Sequence, residues 1–274
     1  MIKLNNSKNY NTSDLSYDEL ATLLSKERLE QVLYFDSIDS TNNKLRELAK
    51  NGAPAGTVVL ANHQSAGRGR RGRNFSSPKD AGIYLSILMR PNCTPQECTS
   101  LTPWTAVAIT RAIFHLINIA PSIKWVNDLY MNNKKICGIL TELSMDNENK
   151  KVSHVVIGVG VNVNESSIDF PLDLRDIATS IYAETNQKIN RSKLAFAIIK
   201  ELDHMIANWP EAKDEYLNAY REYNLTTKSQ ISIVSGDTLI PVTPLNINDD
   251  FSLQVRHQDG KLENLSSGEV SIRL

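Results

Sequence analysis

Seven consecutive residues, Gly67-Arg68-Gly69-Arg70-Arg71-Gly72-Arg73, hold four arginines and three glycines. Glycine lets backbone N–H groups come close to an anion, and each arginine offers a forked pair of donors that fits phosphate or carboxylate. Gly67, Gly69 and Gly72 also match the G-x-G-x-x-G pattern of dinucleotide loops. That chemistry needs a helix to begin at the loop, and Asn74-Phe75-Ser76-Ser77-Pro78 is no helix start. No G-K-[ST] follows, and neither H-R-D nor D-F-G occurs, so the P-loop and kinase readings fail as well. Four like charges so close together repel one another. The loop is therefore expected to be mobile when empty and ordered by an anionic ligand. An RGG-like nucleic-acid segment and a plain solvated charge run compete with this reading. Both are disfavoured, because the motif is single, lacks interleaved aromatics and lies between two expected strands.

A second cluster is Lys124-Trp125-Val126-Asn127-Asp128-Leu129, with Lys135 eleven residues after Lys124 and Gly138 beyond it. Two lysines, an amide and a carboxylate thus converge on one hairpin. The lysines suit a triphosphate or a bound carboxylate, and Asp128 suits a Mg²⁺ that arrives with a nucleotide. In isolation the same residues read as an exposed hairpin with ordinary charges.

The elements that position these clusters are legible in outline. The chain has 274 residues, 41% apolar and 22% charged, enough for a sizeable core and a small second module. With 30 Lys+Arg against 31 Asp+Glu the net charge is −1, so any strong basic feature is local. No secretory signal or membrane span is evident, and Cys93, Cys98 and Cys137 read as reduced thiols of a cytoplasmic protein. Ser16-Tyr17-Asp18-Glu19 is a capping box, predicting one helix from Tyr17 to about Gln31. Val32–Phe35 reads as a strand, and Thr41 as the cap of a helix ending near Lys50, with Gly52 just beyond. Thr57–His63, Ile83–Arg90, Ser122–Trp125 and Lys135–Leu143 read as strands, with Asn132-Asn133 as the turn before the last. Trp104–Asn118 is an apolar helix. Val152–Val163 is a nearly unbroken β-branched run holding Gly158 and Gly160, a strand buried on both faces or passing close to a ligand. Two helices follow, one carrying Leu194 to Trp209 and one after Pro210. From about Ser229 short alternating strands predict a small all-β, barrel-like module, with a boundary near Leu225. His63, His115, His154, His204 and His257 are dispersed and read as structural. Cys137 and Trp209 read as core residues, and Trp125 as packing.

Taken in order, Ser37-Ile38-Asp39-Ser40-Thr41-Asn42, Gln64, the arginine loop, the KWVND hairpin with Lys135 and Gly138, and Gly158-Val159-Gly160-Val161-Asn162 resemble the biotin protein ligase family. The closing Ser267-Gly268-Glu269-Val270-Ser271-Ile272-Arg273 resembles the end of that family's small C-terminal domain. The resemblance implies an α+β fold, with a mixed sheet and packed helices plus an SH3-like barrel. It implies an extension with one helix over 1–35, a catalytic domain over 36–224 and the β domain over 225–274. It further implies that biotin and ATP are joined as biotinyl-5′-AMP, and that biotin then passes to a lysine of a biotin carboxyl carrier protein, a carboxylase subunit.

Residue by residue, Ser40, Thr41, Asn42 and Gln64 match positions at biotin's ureido head. Arg68, Gly69 and Arg70 match the loop that closes over biotin, with Gly138, Gly158 and Gly160 completing that site. Lys135 matches the lysine on the biotin carboxylate and adenylate phosphate, and together with Arg70 is the catalytic choice. Arg71, Arg73, Lys124, Asn127, Asp128, Asn162, Glu269 and Arg273 fall on the ATP and adenylate side, with Asp128 also the candidate Mg²⁺ ligand. The family usually has Pro where Val126 stands and Trp where Phe75 stands. Both changes bear on affinity and neither removes a charge. Ligase activity without a DNA-binding repressor domain is expected, with no nucleic-acid or membrane partner, as a monomer or homodimer. A lipoate ligase, a nucleic-acid-binding regulator and a catalytically dead biotin sensor are the alternatives.

Overall fold

The computed structural model describes residues 14–146 and 151–273. The chain opens with two short helices, α1 (Tyr17–Leu23) and α2 (Lys26–Leu29), where the sequence predicted one. The break has a local cause. Leu24 is extended, and the Ser25 side chain accepts from Arg28 N, capping a second helix instead of continuing the first. Residues 1–13 of the expected extension lie outside the described residues.

Strand β1 (Val32–Phe35) leads to α3 (Thr41–Lys50). Its cap is Ser40, not Thr41: the Ser40 side chain accepts from Asn43 N. Thr41 is thereby the first helical residue and turns its polar atoms to Gln64. After β2 (Val58–Ala61) and β3 (Ile83–Met89) comes α4 (Leu101–Ile117). It starts three residues before the expected Trp104, with Pro103 in a first turn whose N–H groups need no intrahelical partner. Next come β4 (Ser122–Lys124), β5 (Asp128–Met131) and β6 (Lys134–Asp146). The sequence reading missed β5. It pairs with β6 through Asn132-Asn133, both at positive φ, 43° and 68°, as a tight hairpin turn requires. Strand β7 (Lys151–Val161) completes a seven-stranded sheet of order β1-β2-β3-β7-β6-β5-β4, in which only the β1–β2 pair is parallel.

The two faces of this sheet have different fates. Ile83, Leu85 and Ile87 of β3 and Val155, Ile157, Val159 and Val161 of β7 join one large core. That core also takes in α4 and α6 (Arg191–Asn208), which follows the short α5 (Ile181–Thr185). α7 (Lys213–Tyr223) closes this layer, with Trp104 stacked on Tyr216 at 4.0 Å between ring centroids. On the opposite face α3 covers only part of the sheet, packing Leu45 and Ala49 against Val59, Leu88 and Val156. Beyond that patch β7 presents Gly158 and Gly160, so the face dips where side chains would stand. A site fits in the dip.

The C-terminal strands β8 (Gln230–Ser235), β9 (Thr238–Ile247), β10 (Leu253–Arg256), β11 (Leu262–Leu265) and β12 (Val270–Arg273) form a second, wholly antiparallel sheet, consistent with the SH3-like module. Among the described residues no helix is long and apolar enough to cross a membrane.

One buried acid carries a stability prediction. Glu165, in the loop after β7, is 2% exposed, and its carboxylate oxygens have no hydrogen-bond partner among the described residues. Burial pushes its pKa up to about 7. An acid whose folded pKa is raised costs stability once it ionises, so the protein should weaken as pH rises from about 5 to 8. A shift of this size corresponds to about 3 kcal/mol. Glu165→Gln should therefore melt above the wild type at pH 8, with the difference vanishing near pH 5. Parallel melting curves across that range, with identical pH profiles for the two proteins, would disprove this.

Candidate active site

Strand register builds the floor of the site. Gly160 of β7 lies opposite Tyr84 of β3 and Gly138 of β6, and Gly138 in turn lies opposite Asp128 of β5. One register step away, Gly158 lies between Ser86 and Leu140. The gaps are filled from above. A Cβ on Gly160 would strike the Phe75 ring, and one on Gly158 would strike the Asn42 amide. Phe75 therefore sits over Gly138 and Gly160, its ring edge-on to Tyr84 at 6.5 Å.

Lys135 reaches this face because of a bulge. Leu129 pairs with Cys137 but Tyr130 pairs with Lys135, which leaves Ile136 as an extra residue. The extra residue rotates Lys135 onto the side of Gly138, whose absent Cβ would lie 3.1 Å from Lys135 Nζ. Lys135 is pinned further by its backbone, which accepts from Thr179 N and donates to Ile177 O. Its Nζ lies 2.8 Å from Asp128 Oδ1.

Two adjoining cavities result. The first is lined by Ser40, Thr41, Asn42, Gln64, Arg68, Gly158 and Gly160, among others. The second is lined by Arg71, Arg73, Lys124, Asp128 and Glu269, among others. Gly69, Arg70, Phe75, Asn127 and Lys135 line both, so the two meet at Arg70 and Lys135.

The first cavity is polar at one end. Gln64 Oε1 accepts from Thr41 N and Oγ1 at 2.8 and 3.1 Å, and its Nε2 donates to Ser77 Oγ. Gln64 is thus spent holding Thr41 in place. Ser86 Oγ lies 2.8 Å from Thr41 Oγ1 and 2.5 Å from Asn42 Oδ1.

The arginine loop runs as an extended turn with a single 3-10 segment, Arg70–Gly72, and Arg71 at φ 55°. The loop starts no α-helix, in keeping with the failed dinucleotide reading. Its four charges are not left to repel one another. Arg73 Nη1 pairs with Glu269 Oε1 at 2.8 Å, and Arg71 approaches the same carboxylate at 3.7 Å. Arg68 pairs with Glu142 at 2.9 Å. Arg70 donates to Asn127 Oδ1 and to Gly268 O in the loop between β11 and β12. Burial lowers the pKa of the Arg70 guanidinium and of the Lys124 ammonium. The hydrogen bond and charge of Glu269 raise that of Arg73, and Arg73 lowers that of Glu269 in return. Lys124 Nζ also donates to Tyr130 Oη at 3.3 Å.

Three expected site residues stand apart. Asn162 lines neither cavity. Its amide donates to Thr179 O, and Thr179 N is the donor that pins Lys135, so Asn162 reaches the site only through Lys135. Arg68 lines the first cavity, yet its guanidinium is turned to Glu142 and Asn43. The side chain of Arg273 lies outside the described residues. Phe75, which lines both cavities, was undervalued by the motif reading, and Glu142 and Ser86, which line neither but bond to Arg68, Asn42 and Thr41, were passed over. Glu142 was hidden because a lone carboxylate on a strand carries no spacing signal. Trp125 is buried and its ring N–H donates to Phe251 O, yet it also lines the second cavity, and the Trp125–Val126 peptide is cis.

For Mg²⁺ the donor set is thin. Asp128 is the carboxylate at the junction, already facing Lys135, and no cluster of three His, Cys, Asp or Glu side chains that could hold a metal occurs among the described residues. Such a set suits an ion carried in by a triphosphate, not one held by the protein alone.

The sequence profile of the Biotin/lipoate A/B protein ligase family matches residues 34–162. A relative named Bifunctional ligase/repressor BirA, from Bacillus spizizenii, is 44% identical over 179 residues, 65% of this chain and 54% of the relative. The chain thus spans about half the length of that relative. The Biotin--[acetyl-CoA-carboxylase] ligase of Mycobacterium tuberculosis is 31% identical over 71% of each chain. The biotin protein ligase from Aquifex aeolicus in complex with biotin and ATP superposes with a TM-score of 0.73 at 26% identity, covering 88% of this chain and 98% of that one. With the sheet, the paired cavities and these relatives in agreement, the chain belongs to the biotin/lipoate A/B protein ligase family.

Proposed function

We propose that this chain is a biotin protein ligase. One observation carries the reading: Arg70 and Lys135 stand where a cavity with a polar, hydrogen-bonding end meets a cavity lined by cationic side chains. Biotin's ureido ring suits the polar end, beside Ser40, Thr41 and Asn42, with its acyl chain running past Phe75 toward Lys135. That places its carboxylate at Lys135 and Arg70, with ATP beyond, toward Lys124, Arg71 and Arg73.

The physical problem of the first step is charge. A carboxylate oxygen attacks the α-phosphorus of a polyanion. A new O–P bond forms, the α–β P–O bond breaks and pyrophosphate leaves. Lys135 and Arg70 lower the mutual repulsion and hold the attack in line, and neither forms a covalent bond. A Mg²⁺ riding on the triphosphate would add positive charge near Asp128. In the second step a lysine amine of a carrier domain attacks the acyl carbon, AMP departs and an amide is left. A carboxylase carrier subunit is the proposed acceptor and the cytoplasm the proposed setting. We place the biotin and adenylate chemistry in residues 36–224, with the domain over 225–274 closing the nucleotide side through Gly268 and Glu269.

The test is biotin-dependent exchange of labelled pyrophosphate into ATP, with lipoate and octanoate in parallel. Exchange with biotin alone is the expected result. Exchange only with the other acids would move the protein to the lipoate branch, and none with any acid, in folded protein with Mg²⁺, would overturn the adenylation reading.

A further inference from the structure

Glu142 stands on β6 in register with Val156 of β7, on the same face as Gly138 and Leu140. Its Oε1 lies 2.9 Å from Arg68 Nη2 and its Oε2 accepts from Arg68 Nη1 at 3.0 Å, the parallel two-bond geometry that makes an arginine–carboxylate pair directional. Oε2 also accepts from Asn42 Nδ2 at 2.9 Å, and Arg46 of α3 approaches Oε1 at 3.6 Å. One carboxylate thereby joins three pieces: the sheet, the helix that carries the polar end of the first cavity, and the arginine loop that covers it. The side chain of Glu142 is 20% exposed and that of Arg68 37%, so the pair is partly screened by water and its two-bond geometry, not burial, gives it direction.

The consequence is a division of labour among four arginines that look alike in the sequence. Glu269 engages Arg71 and Arg73 from one side of the loop, and Glu142 takes Arg68 from the other. Arg70 is the loop arginine left to point between them, toward Asn127 and Gly268. Asn42 is aligned by the same carboxylate: with Glu142 fixing its Nδ2, its Oδ1 is the end that faces Ser86 and the space above Gly158.

We infer that Glu142 is a positioning residue that clasps the arginine loop to the sheet through Arg68, and so sets how long biotin stays in the first cavity. The inference rests on the biotin ligase reading. Removing the charge at nearly constant shape isolates it: Glu142→Gln keeps the volume and a hydrogen-bonding group but cannot hold both Arg68 donors. The expected result is a KM for biotin raised about tenfold in pyrophosphate exchange, with kcat moving far less, and release of tritiated biotin faster by a similar factor. In an Arg68→Gln background the same substitution should add almost nothing, because the two side chains act as one unit. Arg68 lies in an exposed loop, so Arg68→Gln also reads the clasp by itself should Glu142→Gln fold poorly.

Unchanged KM and release in Glu142→Gln, with wild-type melting, would overturn the clasp. So would an equal effect with and without Arg68, which would mean that Glu142 acts through Asn42 or the fold. These failures leave wild-type exchange intact. A wild type that neither exchanges nor binds biotin overturns the functional reading itself, and the clasp with it.

Discussion

Lys135→Ala should reduce biotin-dependent pyrophosphate exchange by about a hundredfold to a thousandfold, the usual cost of losing one preorganised charge at a reacting centre. Two effects add. The cation proposed to face the carboxylate and the α-phosphate disappears. Asp128, whose Oδ1 lies 2.8 Å from Lys135 Nζ, then stands without that partner and turns a negative charge toward a polyanion. Position matters too, because the bulge at Ile136 and the backbone bonds to Ile177 and Thr179 aim the lysine. Lys135→Arg keeps the charge but not the reach, and should recover only part of the loss. The side chain is 30% exposed and packs into no apolar core, so melting should barely change. Single-turnover formation of biotinyl-AMP, measured beside the melting curve, separates chemistry from folding. Near-normal adenylate formation in Lys135→Ala would remove the lysine from the mechanism.

Arg70→Ala should speed the release of both biotin and biotinyl-AMP by about tenfold to a hundredfold, as expected for losing a hydrogen bond from a charged donor, worth about 1.5–3 kcal/mol. Arg70 is half-buried between the cavities. It ties the loop to Asn127 on one side and to Gly268, in the loop before β12, on the other. Truncating it removes the cation from the junction and unhooks the loop from the C-terminal sheet, while the Arg68–Glu142 pair still holds the loop's first residues. The loss should therefore show in dissociation rates more than in the integrity of the fold. Off-rates of both ligands equal to the wild type would show that the loop does not retain them.

The chemistry of this protein was legible in its sequence because it lies in contiguous residues of unusual type. Four arginines among three glycines suggest an anion site, whereas the two lysines around an Asn-Asp pair gain that meaning only beside the arginine loop. The long strands and helices were legible too, since β-branched runs and 3.6-residue apolar spacing report burial directly. Where local signals conflicted the outline blurred. Leu24-Ser25 splits a helix whose capping box promised one, Ser40 caps where Thr41 was expected, and the short β5 hid between Asp128 and the Asn132-Asn133 turn.

Only the tertiary structure decided which charges meet. Glu142 lies 74 residues from Arg68, and Glu269 lies 196 from Arg73. No spacing rule links such pairs, because strand register and domain packing bring them together, not chain proximity. The same holds for Gly138, Gly158 and Gly160. In the sequence they are small residues in strands; in the sheet they are the floor that Phe75 and Asn42 fill. The residues by themselves marked two cationic clusters, the arginine loop and the KWVND hairpin, as candidates for binding an anion. The fold determined that Arg70 and Lys135, and not their like-charged neighbours, stand where the two cavities join, because Glu142 and Glu269 hold the other arginines aside.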